Sequence, residues 1–152
     1  MILAALVISG AVLFIFFFGG STGTGILEVR STGSGRVLGS WPLDEFGEFA
    51  VEFTHSVNQS PVRETFRVKD GRLVLESVRF YSFGAGIQSD LEEGQKLSRD
   101  GDAMILSGFK VSFSELSFII GTVSDHVLFI NNEIISLRER FGTNAQITIR
   151  YR

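Results

Sequence analysis

The chain has 152 residues, with 14 Lys and Arg against 17 Asp and Glu for a net charge of −3, and no cysteine. So small a charge steers no polyanion, and the basic residues form no patch, which argues against a nucleic-acid partner. The missing thiols exclude disulfides, a Cys-based metal site, a thiol nucleophile and a lipoprotein anchor.

Residues 1–18 carry no charge, and Ser9 is their one polar side chain. As a helix rising about 1.5 Å per residue they would be about 27 Å long, close to the hydrocarbon thickness of a bilayer. The basic n-region and A-x-A-like site of a cleaved signal are missing. The expectation is therefore a transmembrane anchor over 1–19, with a cleaved signal helix as the alternative. Residues 20–25, Gly-Ser-Thr-Gly-Thr-Gly, read as a tether. A single leading segment before a β-rich chain is the usual form of an export device. This places the domain on the extracytoplasmic side, although Arg30 and Arg36 follow the segment.

Residues 26–152 leave about 127 positions for one β domain with a real core. Period-2 alternation predicts strands at 26–31, 36–41, 48–57, 62–69, 72–82, 103–113, 116–123, 126–130, 133–137 and 145–152. Asp70-Gly71 is a strong two-residue hairpin turn and Asn131-Asn132 a second. Residues 88–101 read as a polar loop, and 137–141 could form a helical turn. Many short strands with Gly-rich turns indicate an all-β, antiparallel sandwich or partly open barrel.

A four-residue loop over 58–61 would pair Val51 with Val68, Phe53 with Phe66, His55 with Glu64 and Val57 with Val62, and on the other face Glu52 with Arg67. Continued through Asp70-Gly71, Ser77 would face Glu64 and Arg79 would face Val62. His55, Glu64, Ser77 and Arg79 would then share one polar end of an apolar face. A histidine beside a carboxylate is oriented and its charged form favoured, and Arg79 would be available to an anion. The structural alternative is a buried polar network that closes the core. A Ser/His/acid triad through Ser56, Ser60 or Ser77 lacks the G-x-S-x-G turn and an oxyanion hole.

His126, in Ser124-Asp125-His126, reads as a structural or capping residue. Were it to meet His55 with Glu64 or Asp125, three metal ligands would exist, but their spacing gives no support, and no metal or cofactor is expected. In Ser82-Phe83-Gly84-Ala85-Gly86, Gly84 and Gly86 could bring backbone N–H groups to an anion, or simply form a tight exit from a strand.

The run His55-Ser56-Val57-Asn58-Gln59-Ser60-Pro61-Val62-Arg63-Glu64-Thr65-Phe66 resembles the HSV-x-x-SPV-x-E-x-F signature of a small prokaryotic family of unknown function. Its members are encoded beside TRAP transporters of the TAXI type, which have a fused membrane permease. Residues 82–86 are similar to that family's SFGAG stretch, from which Ile87 then departs. The resemblance implies a single-domain β protein, anchored at the membrane and accessory to a solute transporter, with no known catalytic residues. The functional expectation is a non-catalytic accessory or assembly protein of a TRAP-type transporter. It would dock on the permease or its solute receptor and sense a small organic anion through His55, Ser56, Ser60, Glu64, Arg79, Gly84 and Gly86. The alternatives are a stand-alone extracytoplasmic module for small anions and a hydrolase built on His55 and Glu64.

Overall fold

The computed structural model describes residues 24–56, 59–82 and 90–152. The apolar leader lies outside them, and so does its reading as an anchor. Among the described residues no helix is long and apolar enough to cross a membrane. The tether ends earlier than expected, because Thr24 and Gly25 already pair in the first strand.

Among the described residues twelve strands and one short helix follow in chain order. They are β1 (Thr24–Ser31), β2 (Val37–Asp44), β3 (Glu48–Thr54), β4 (Pro61–Lys69), β5 (Arg72–Phe80), β6 (Lys96–Asp100), β7 (Ala103–Ser107), β8 (Ser112–Phe113), β9 (Leu116–Ile119), β10 (His126–Ile130), β11 (Glu133–Ser136), α1 (Leu137–Phe141) and β12 (Gln146–Tyr151). A four-stranded sheet runs β2-β1-β12-β9. An eight-stranded sheet runs β11-β10-β3-β4-β5-β7-β6, with β8 beside the first half of β5. All pairings are antiparallel, and the two sheets make a sandwich rather than a closed barrel.

Alternation explains the core. Leu27, Val29, Ile147 and Ile149 of the small sheet pack on Phe49, Val51, Phe66 and Val68 of the large one. A second apolar cluster, Val62, Phe80, Met104 and Leu106, lies at the β4-β5-β7 side. Asp70 and Gly71 both take positive φ in the expected hairpin, as do Asn131 and Asn132 in theirs. Helix α1 begins on an N-cap: the Ser136 side chain accepts from the Glu139 amide and donates to Asp125 Oδ2 at 2.5 Å.

Three expectations need correction. Residues 88–101 are not all loop, because 96–100 form β6, a hairpin partner of β7. Every residue of β6 is exposed, so it shows no apolar alternation to read. The strand expected over 103–113 breaks at Gly108, whose φ is 82° and where an added Cβ would lie 2.3 Å from the Gly94 carbonyl oxygen.

The third correction is register. The β3–β4 pairing is Phe49 with Phe66, Val51 with Glu64, Phe53 with Val62 and Thr54 with Pro61. This is slid by four residues from the expected one, so that Phe53 faces Val62 rather than Phe66. The slide keeps each side chain on its face. It pairs Glu52 with Arg63 at 2.8 Å and Glu48 with Arg67, where the expected register offered one pair. The connection is also longer, and it is closed by His55 N–H donating to the Ser60 carbonyl at 2.9 Å. In β5 a bulge intervenes: Leu75 pairs with Phe66 but Ser77 pairs with Thr65, leaving Glu76 as the extra residue. Beyond it the faces exchange, so Val78 meets Glu64 and Arg79 meets Arg63.

Candidate functional site

The inner face of the large sheet is a lattice of cross-strand rows. One row reads Leu128, Val51, Glu64, Val78, Leu106 and Leu97. A carboxyl group thus stands in an otherwise aliphatic row. The next row toward the loop over 55–60 begins His126, Phe53 and Val62. The small sheet covers these rows with its edge strand. Leu116 and Phe118 pair with Ile149 and Ile147 and so point the same inward way.

Between the sheets the edge leaves a cleft of about 520 Å³. Phe53, Phe66, Phe113 and Phe118 supply its aromatic walls, Glu64 and His126 its inner polar groups, and exposed Glu115 and Ser117 its rim. No lysine or arginine is among the described lining residues. The His126 ring lies against both sheets. It stacks on Phe118 with centroids 4.6 Å apart and tilts on Phe53 at 5.7 Å. On the other side of Glu64, Phe66 stacks on Phe49 at 5.4 Å and meets Phe113 edge-on at 6.3 Å.

Burial controls the electrostatics. It raises the Glu64 carboxyl above its ordinary value, because the charged form is poorly solvated there. The Glu64 side chain makes no hydrogen bond or ion pair among the described residues. Burial also lowers His126 below its ordinary value, against a smaller opposing pull from Asp125. The imidazole Nδ1 is buried without a hydrogen-bond partner. Asp125 is occupied elsewhere, accepting from the Ser136 hydroxyl and from the Arg138 amide at 3.0 Å. Glu64 and His126 stand on strands flanking β3, two residues out of register. That puts them about 12 Å apart at the backbone, and among the described residues no hydrogen bond or ion pair joins their side chains.

The structure brings few of the expected site residues together. His55 is half-buried at the loop, level with Ser60, whereas Glu64 is level with Val51, four residues or about 13 Å back along β3. The expected His55–Glu64 pairing is therefore absent. Its reason is the longer loop, which consumes residues that a four-residue turn would have left in the strands. Ser56 is exposed, and its carbonyl accepts from the Gln59 side chain at 2.6 Å. The bulge turns Ser77 and Arg79 to the outer face. There Arg79 donates to Asp100 at 2.6 Å and shares a depression with Glu52, Pro61, Arg63 and Tyr81. Gly84 and Gly86 lie outside the described residues. Among the described residues no three His, Asp or Glu side chains are placed to hold a metal ion.

Sequence reasoning missed His126 as a cleft residue, along with Phe53 and Phe118. The signal was present: in His126-x-Leu128-x-Ile130 the imidazole shares the face of two core residues.

A family model described as Domain of unknown function (DUF1850) matches residues 49–137. The match runs from β3 through β11 and takes in Glu64, His126 and the aromatic walls of the cleft. No curated protein and no solved structure matches the chain.

Proposed function

This chain belongs to the DUF1850 family, described as a domain of unknown function, and from that premise we propose that it is a non-catalytic, membrane-anchored accessory protein of a TRAP-type transporter, with the inter-sheet cleft as its small-molecule site. One observation carries the binding part: Glu64 has no partner within an aromatic-walled cleft large enough for a small molecule. A polar group left unsatisfied in an apolar setting costs stability, and a ligand that completes it recovers that loss. The transporter part rests on the likeness of residues 55–66 to the signature quoted above and on the apolar leader.

Two measurements test this. The full chain, tagged and extracted in mild detergent, is expected to carry the neighbouring permease with it; recovery of the chain alone argues against the transporter role. A cleft-filling Leu116→Trp variant is expected to keep the fold and lose binding of small apolar molecules. Unchanged binding would place the site elsewhere.

A second reading, a module for small organic anions, is favoured by the direct opposition of Arg63 and Arg79 on the outer face. Glu52 and Asp100 already neutralise these two guanidinium groups. An anion there must displace a carboxylate. Succinate is expected to raise the melting temperature of the wild type but not of Arg79→Ala if this reading holds, and to leave both unchanged if it does not.

A further inference from the structure

Resting on the cleft as the binding site, we infer that its ligand is a hydrophobic organic ammonium ion, with the charged head on Glu64 and the apolar body among the phenylalanines. The charge sense of the lining decides the head. Glu64 and Glu115 are its acidic groups, His126 is held neutral by burial, and no basic side chain lines it. An organic anion would meet two carboxylates and no counter-charge. An ammonium ion supplies the partner Glu64 lacks, in a setting where a charge-assisted hydrogen bond is little screened.

The rings decide the body. Phe53 and Phe118 flank His126 on one side of Glu64, and Phe66 and Phe113 stand on the other. Their faces attract a cation and their area takes up an apolar chain. The unpartnered Nδ1 of His126 offers a neutral polar atom at one end of the same space without repelling the head.

The experiment compares 3-phenylpropylamine, 3-phenylpropanol and 3-phenylpropanoate, which share a body and differ in the head. The full chain is held in lipid nanodiscs at pH 7.5, and unfolding is followed through Trp41, the sole tryptophan. The amine is expected to bind at least about tenfold more tightly than the alcohol, as a hydrogen bond to a charged group supplies, and the propanoate more weakly than both. Glu64→Gln should bring the amine to the level of the alcohol, while Phe118→Ala should weaken both. If Glu64→Gln does not fold, the wild type at low pH serves instead: the amine should lose affinity as Glu64 takes up its proton, and the alcohol should not. Alcohol or propanoate binding as tightly as the amine overturns the cation and leaves the cleft standing. No response to any of the three overturns both.

Discussion

A glutamate placed among Leu128, Val51 and Val78 pays for its charge at every pH at which it ionises. Replacing it with leucine completes the row, and Glu64→Leu is expected to raise the unfolding free energy at pH 7 by about 1–3 kcal/mol, measured by urea unfolding. The pH dependence has a definite sign. Above its ordinary value of 4.5 and up to its raised folded value, Glu64 keeps a proton in the native chain that the unfolded chain has lost. Its contribution to stability is therefore full below 4.5 and lost as pH rises through that window. His126 behaves oppositely. Its folded value lies below 6.5, so its contribution is full above 6.5 and lost as pH falls through the lowered value. In His126→Phe the acid-side loss should disappear, and in Glu64→Leu the loss on raising pH should disappear. Persistence of either slope in its own variant assigns it to another group.

Elements fail where one residue sets the backbone path. At Gly108 a Cβ would strike the Gly94 carbonyl oxygen, and the positive φ adds strain. Gly108→Ala is expected to cost about 1–3 kcal/mol and to loosen β6–β7, read as faster amide exchange there. Ser136→Ala removes the α1 cap and should cost about 1 kcal/mol in urea unfolding. The strands themselves were largely legible, because Leu27-x-Val29 or Leu128-x-Ile130 must alternate to bury one face. The β5 bulge was missed, although the three-residue step from Leu75 to Val78 breaks the alternation. The β3–β4 register was not legible. A slide by four residues preserves both faces, and the observed register pairs Arg63 with Glu52 and sets it 3.9 Å from the Phe129 ring, a contact that needs β10 in place. The cleft was illegible for the same reason, since its walls come from six strands and the linker before β9.

At the scale of the molecule, the outer faces are ion-paired and the inner faces apolar, apart from the cleft. Arg30 and Arg150 hold the Glu28 carboxyl below its ordinary range on the small sheet, and Arg67 bridges Glu48 and Glu76 on the large one. Under the proposed anchoring, protease added outside right-side-out spheroplasts should digest the domain; protection until lysis would place it in the cytoplasm. The strand directions carry one more consequence. Thr24 pairs with Asp44, two residues from the exposed tip of Phe46, and Gly47 is bonded to Val68. The signature loop sits at the far end of β3, six residues or about 20 Å away. Were the chain hitched ahead of Thr24, as proposed, that loop would stand off like the head of a mast, and a partner gripping it would approach from the pole opposite the hitch.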